Sequence, residues 1–391
     1  MKKEEKLLLE KNIPKLYWMY FFSNAGFHLV IFTLFLLSKG FTMTQFFLIE
    51  SAYFLVALLT EIPTGAFSDR ISRKWSLIIA SLISIPTMLV IILSNSFIVV
   101  LIAMGIGGLS NSFISGTDTS FLYDTLKSLK KEKEFKKVKG KMSWYGSWSG
   151  AIAGIIGGLI AQIHLSYPWW ATFFLIFPAL FIQTLLKEPP ISKKHKESHL
   201  LHLKTSLKES FKGNATYFIL YSSVIWLFFS LGFWLWQPYL KLTTLPLFFF
   251  GFFYAIERII SGFASKESHK FEKKLGMKNS LLFIPVILAL AFIFESQFIF
   301  IFGFLFIFLQ SLSGGFFGPI LEDYIHQRIP SSKRATILSI KNMITSLLFV
   351  IFSPLLGYFI DFYSLQTALL LMGTILILVG FLFFIFFKKK N

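Results

Sequence analysis

The chain has 391 residues, of which 55% are hydrophobic and only 15% charged, with 50 Phe and no Cys. That balance excludes a soluble globular domain, and the absence of Cys excludes disulfides, zinc–thiolate centres and thiol catalysis. The formal net charge of +18 raises nucleic acid as a partner until the placement of the charges is considered.

The N-terminal stretch "MKKEEKLLLEKNIPK" mixes acids with bases and leads to no small-residue cleavage site. The first apolar run is therefore expected to be a retained helix and not a signal peptide. Apolar runs then recur at 14–38, 41–66, 75–94, 97–126, 142–163, 167–186, 215–240, 246–264, 280–295, 298–327, 335–360 and 365–387. A run of about 20 apolar residues crosses a hydrocarbon core of roughly 30 Å as a helix. The runs are continuous and lack the period-2 alternation of a membrane barrel. The expectation is an all-α membrane protein with twelve transmembrane helices.

With the N-terminus inside, all but four of the 38 Lys and Arg fall on inside segments; Lys39 and Lys241 lie outside, and Arg258 and Lys341 lie within spans. This is the positive-inside pattern for an even number of spans with both termini cytoplasmic. The basicity is topological, and no nucleic-acid partner is expected.

The longest polar interruption, 187–214, separates an N-terminal six-helix bundle, 1–186, from a C-terminal one, 215–391. Each half carries a basic loop after its second span (69–74 and 265–278) and another after its fourth (127–141 and 328–334), as in a parallel repeat. Within the linker, His195, His199 and His202 fall at i, i+4 and i+7, a spacing that can bind a metal ion. Lys193, Lys194 and Lys196 beside them repel cations, so a solvated or membrane-surface helix is expected there, and no metal.

Between the second and third spans stands "GAFSDRISRK". Gly65, Asp69, Arg70, Arg73 and Lys74 fit the signature Gly-x-x-x-Asp-Arg-x-Gly-Arg-Lys, with Ser72 in place of the last Gly and Phe67 in place of a common Leu. In this, and in its length, spans and 6+6 symmetry, the chain resembles the transporters of the major facilitator superfamily. "SGTDTSFLYDTLK" (115–127) and "IPSSKRATILS" (329–339) resemble the bacterial drug-exporter-like branch. The resemblance implies a secondary active transporter that works by alternating access on a small-molecule substrate. It would be a monomer in the bilayer of a bacterial cytoplasmic (inner) membrane, with a proton gradient and no cofactor.

The resemblance also assigns residues. Asp69 is expected against the start of the eleventh helix, where exposed amides and the helix dipole favour an anion. Asp124 takes the place of the acid near the end of the fourth helix that pairs with the motif Arg. Gly65 allows close backbone approach. Gly65, Asp69, Arg70, Arg73, Lys74 and Asp124 together are expected to latch the halves in the outward-facing state. Antiporters of the family carry a Gly-rich signature with a Gly-Pro pair in the fifth helix. Here Gly146, Gly150 and Gly154 recur at four-residue intervals but Ile155 follows Gly154, so that signature is not met.

Ionisable groups at membrane depth are costly and need a reason. Glu50 and Glu61 share the second span and fall about 20° from one face of a helix, and Pro63 follows Glu61. A carboxyl held out of water binds and releases protons near neutral pH because desolvation disfavours its anion. Glu61 is the first candidate for proton coupling, followed by Glu50 and Asp118; a structural acid is the alternative. Asp118 and Asn111 are seven residues apart in the fourth span, and Asn24 and His28 one turn apart in the first, which reads as cavity-facing. In the second half, adjacent Glu257 and Arg258 are expected to take different partners. Glu322, Asp323, His326 and Lys341 form either an ion-pair network with Arg258 or a site for an anionic substrate group. Trp144 and Trp148, and Trp226, Trp234 and Trp236 near Gln237, offer stacking faces for an amphipathic or cationic ligand, with Trp148 the cavity candidate.

The function expected is proton-coupled export of an amphipathic organic compound; the alternative is proton-coupled uptake of a nutrient, metabolite or siderophore-like molecule. An enzyme is not expected: no His-Glu-x-x-His, Gly-x-Ser-x-Gly or phosphate-cradling Gly-Lys motif is present.

Overall fold

The computed structural model describes residues 3–190, 214–328 and 334–388. Every regular element among them is helical. The chain divides into two compact units: unit 1 is Met1–Gly40 with Leu48–Glu197, and unit 2 is Phe41–Phe47 with Ser198–Asn391.

In unit 1 the helices are α1 (Lys3–Glu10), α2 (Asn12–Ser23), α3 (Phe32–Ser38), α4 (Met43–Arg70, from Leu48 on), α5 (Arg73–Leu93), α6 (Phe97–Ile114), α7 (Thr117–Ser128), α8 (Phe135–Ala161) and α9 (Tyr167–Thr184). Unit 2 holds α10 (Asn214–Leu242), α11 (Phe248–Leu275), α12 (Met277–Gln297), α13 (Phe304–Arg328), α14 (Arg334–Phe362) and α15 (Leu365–Lys388). Among the described residues nine helices are long and apolar enough to cross a membrane, or ten if the bent pair that forms the first span counts as one. The fifth and sixth expected spans, α8 and α9, fall outside that set because Gly, Ser, Trp and Pro replace aliphatic residues along them.

Two expected spans are broken. The first bends by 50° between α2 and α3, where Phe27–Val30 forms a 3-10 turn. Carbonyls freed at such a break must find donors in lipid, and Ser149 Oγ of α8 donates to Phe21 O at 2.5 Å. The glycines of α8 let it reach the break: a Cβ on Gly146 would lie 2.8 Å from Tyr20 Cδ1, and one on Gly157 would meet the Phe27 carbonyl oxygen. The fourth span breaks at Ser115–Gly116, with Gly116 at φ +73°, a left-handed conformation that glycine adopts without a Cβ penalty.

Helices α4 and α6 pack backbone to backbone. A Cβ on Gly108 would run into the Tyr53 carbonyl oxygen and lie 3.0 Å from Ala57 N, which is how small residues let membrane helices approach. Thr60 and Ser112 share a hydrogen bond of 2.8 Å across that seam, and Thr64 Oγ1 donates to Ser112 O at 3.1 Å. Lys39, just past α3, donates to the carbonyls of Ile91, Ile92 and Ser94, each at 2.8 Å, and so caps the C-terminal end of α5 with a cation.

Unit 2 is held by comparable seams. Tyr221 of α10 donates to Leu281 O at 2.6 Å and stacks on Phe383 with ring centroids 3.9 Å apart. The first turn of α4 belongs to this unit. There Asp361, at the end of α14, accepts from Met43 N (2.9 Å), Thr44 N (2.8 Å) and Thr44 Oγ1 (2.6 Å). A Cβ on Gly357 would lie 2.6 Å from Met43 O. Gly357 and Asp361 repeat the Gly-x-x-x-Asp spacing of Gly65 and Asp69, one turn apart on the same helix face.

Candidate functional site

The basic end of unit 1 is assembled on an apolar floor of Leu16, Leu77, Phe121, Leu126 and Met142, all buried. These residues come from α2, α5, α7 and α8 and hold those helix ends together. Above it, Arg73 at the start of α5 pairs with Asp124 of α7 at 2.5 Å and with Asp69 at 3.5 Å, and donates to the Ser120 carbonyl. The Arg73 and Asp124 side chains are only 13% and 11% exposed, so the expected Arg–acid pair forms where water screens it little.

Glu188, which the sequence reading did not single out, organises the same end. Its carboxylate accepts from Arg73 N (3.0 Å), Lys74 N (2.9 Å) and Ser72 Oγ, neutralising the positive N-terminus of α5. Ser72, standing where the family signature has Gly, is the N-cap and accepts from Trp75 N at 3.0 Å. Lys74 donates to Thr184 O at 2.6 Å. The signal for Glu188 was available, since an acid at the end of the sixth span faces the basic 2–3 loop in a six-helix bundle. Arg70 is exposed, a Cβ on Gly65 would meet nothing within 4 Å, and Asp69, near the end of α4, reaches Arg73 at the start of α5. The expected partner of Asp69, the start of the eleventh span, is the beginning of α14 at Arg334 and belongs to unit 2, while His195, His199 and His202 of the linker and the His326 side chain lie outside the described residues.

Several candidates lie elsewhere than expected. Glu61 is exposed, while Glu50 is 3% exposed; the burial expected of Glu61 falls on Glu50, because two residues that share a helix face need not share neighbours along it. Asp118 and Asn111 do not share a face, since the Ser115–Gly116 break intervenes. Asp118 sits in the first turn of α7, accepts from Thr119 N at 2.6 Å and pairs with Lys139 of α8 at 3.4 Å, a capping role. Asn111 is exposed. Nor do Asn24 and His28 share a helix: Asn24 caps the end of α2, bonding Tyr20 O at 2.8 Å. His28 lies in the 3-10 turn, 3.1 Å from Thr172 Oγ1 and with its ring 4.5 Å from that of Trp169. It is a docked histidine of the unit's interior. Trp144 and Trp148 are exposed, their rings 5.9 Å apart in an edge arrangement.

In unit 2, Glu257 and Arg258 do not take separate partners only: they pair with each other at 3.8 Å. Long side chains bridge the turn between them, while Arg258 also bonds Tyr254 Oη at 2.8 Å and Ser311 bonds Glu257. Glu322 and Asp323 are exposed. Lys341 of α14 is 7% exposed, with its ammonium 5.6 Å from the ring centre of Trp226 on α10. Glu295, 1% exposed, accepts from Gln310 Nε2 at 2.6 Å; hydropathy places it at a span end, where an acid is ordinary and carries no signal. Among the described residues no group of three or more His, Asp or Glu side chains could hold a metal ion.

The Major Facilitator Superfamily model matches residues 16–303. Among curated proteins the chain is 22% identical over 377 residues to the uncharacterized MFS-type transporter YxaM of Bacillus subtilis (strain 168), covering 92% of each. Among solved structures it resembles the nucleoside transporter NupG in its D323A form (TM-score 0.83, 14% identity, 97% of this chain and 99% of that one). It also resembles a bacterial homolog of the human lysosomal transporter Spinster (TM-score 0.75, 14% identity, 98% and 97%). These structural likenesses show the fold. The fold and the family model together establish an integral membrane transporter and not an enzyme: the chain belongs to the Major Facilitator Superfamily.

Proposed function

We propose that this transporter moves an amphipathic organic solute by alternating access, in exchange for or together with protons, and that Glu50 carries the proton. The carrying observation is the burial of Glu50, at 3% exposure, within the 28-residue helix α4. A charge at membrane depth costs about 2.5–3.5 kcal/mol on insertion scales, so a buried carboxyl there is favoured in its neutral form and ionises only when its surroundings open. The Arg73–Asp124–Asp69 cluster, with Arg70 and Lys74, serves as the gate latch at the basic end, and both termini lie on that cytoplasmic side of a bacterial inner membrane.

Uptake is the direction we adopt. It is favoured by the missing Gly-Pro in α8 and by the likeness to a nucleoside transporter. Export remains the second reading, favoured by the resemblance of 115–127 to drug exporters and by the exposed Trp144–Trp148 pair.

The test is transport in proteoliposomes under an imposed pH gradient, with nucleosides and organic cations as probes and Glu50→Gln beside the wild type. Gradient-driven accumulation should fall at least tenfold in Glu50→Gln, while solute exchange at equal pH persists. Accumulation unchanged in the variant would remove Glu50 from the mechanism. Cation extrusion driven by an inward proton gradient would replace uptake by export.

A further inference from the structure

We propose that Lys341 and Trp226 form an anion-binding subsite in unit 2, which takes the carboxylate or phosphate of an organic solute with an apolar or aromatic body. The inference rests on the transport reading above and narrows its substrate class.

Three observations carry it. Lys341 is 7% exposed, yet among the described residues no carboxylate forms an ion pair with it. Its ammonium lies instead 5.6 Å from the Trp226 ring centre, a cation–π contact that offsets part of the desolvation but accepts no proton. The indole Nε1 of Trp226 is itself buried without a hydrogen-bond partner. A lysine 7% exposed with no carboxylate paired to it, and beside it a buried N–H that lacks an acceptor, are costly for the empty protein. One group that accepts from both removes both costs, and an oxyanion has the charge and the lone pairs to do so.

The walls suit the rest of such a molecule. Phe229 and Phe317 stand 5.5 and 6.1 Å from the Trp226 ring. A Cβ on Gly318 would lie 3.8 Å from the Trp226 ring edge, which leaves room on the α13 side. The charged groups that face Lys341 are few. Glu322 of α13 is exposed and acts on the ammonium electrostatically, and Asp323 beside it is exposed as well. Glu322 would repel a bound anion, which sets a direct opposition between two roles for Lys341: pairing with a solute or pairing with Glu322.

The purified full-length chain decides between them. Quenching of Trp fluorescence and thermal stabilisation are measured with indole-3-acetate and benzoate, with their uncharged amides, and with phosphate alone. The wild type should bind the carboxylates at least tenfold more tightly than the amides, Lys341→Gln should abolish that preference, Lys341→Arg should retain most of it, and Trp226→Phe should weaken it severalfold. Glu322→Gln should tighten carboxylate binding. Equal binding of acids and amides by the wild type overturns the proposal, even where Lys341→Gln fails to fold. So does a Glu322→Gln variant as destabilised as Lys341→Gln, with the double variant recovering stability, because Lys341 then serves a structural pair. Binding by phosphate without the organic acids would overturn the apolar-body part. Binding is read without a gradient, so it stands or falls separately from Glu50 and proton coupling.

Discussion

Replacing Asp361 by Ala removes three hydrogen bonds at once, from Met43 N, Thr44 N and Thr44 Oγ1. The two amides belong to the first turn of α4, whose 28 residues span about 42 Å at 1.5 Å per residue. Amides there have no partner within the helix, and a side-chain cap that satisfies them contributes about 0.5–2 kcal/mol. The anion's interaction with the helix dipole adds about 0.3–1 kcal/mol. Asp361 is exposed, so water takes over part of its role, and the expected loss is about 1–2 kcal/mol. That corresponds to a rise of roughly 5- to 30-fold in the opening equilibrium of the first turn. Hydrogen exchange of peptides covering 41–48 in the purified protein reads it directly: Asp361→Ala should speed exchange by that factor, and Asp361→Asn, which keeps an acceptor but loses the charge, by about half as much on a logarithmic scale. Exchange in Asp361→Ala equal to that of the wild type would refute the cap.

Gly108→Ala places a methyl against the Tyr53 carbonyl, which cannot move aside as a side chain would, so α4 and α6 must part; the yield of monodisperse protein on gel filtration should collapse. Gly140→Ala, where a Cβ meets nothing within 4 Å, should instead be neutral or stabilising by up to about 1 kcal/mol. Asp124→Asn removes the nearer of the two carboxylates that pair with Arg73 in a nearly dry site, leaving only Asp69 at 3.5 Å, and should cost about 3 kcal/mol. The double variant with Arg73→Gln should recover more than about 1 kcal/mol of that in thermal unfolding, and additivity would show that the pair is not coupled. Lys39→Met strips three carbonyl partners from the end of α5 and should lower stability by about 1–2 kcal/mol, with faster exchange confined to residues 90–95.

The Arg73–Asp124 pair was legible because the motif spacing and the acid at the end of the fourth span belong to a recognisable pattern. The faces assigned to Asn24 with His28, and to Asn111 with Asp118, were not, because angular arithmetic assumes an unbroken helix. A mean hydropathy carries no information on dihedral angles, and Gly116 at φ +73° rotates everything that follows it. Glu188, Asp361 and Glu295 were missed for a shared reason. Each lies near a span end, where an acid costs little and attracts no notice, and each gains its role only from a helix end or an amide brought beside it by packing.

What the sequence determined alone is what the solvent demands. Long apolar runs must become helices, because lipid offers no partner to an unpaired backbone group, and the basic loops orient them. The tertiary structure decided which of the charged and polar groups are out of water and which partners they meet. Glu50 is buried and Glu61 is not, although both stand on α4; Lys341 is buried against an indole and not against an acid. Burial and partnership are properties of neighbouring helices, and the period of one helix does not contain them.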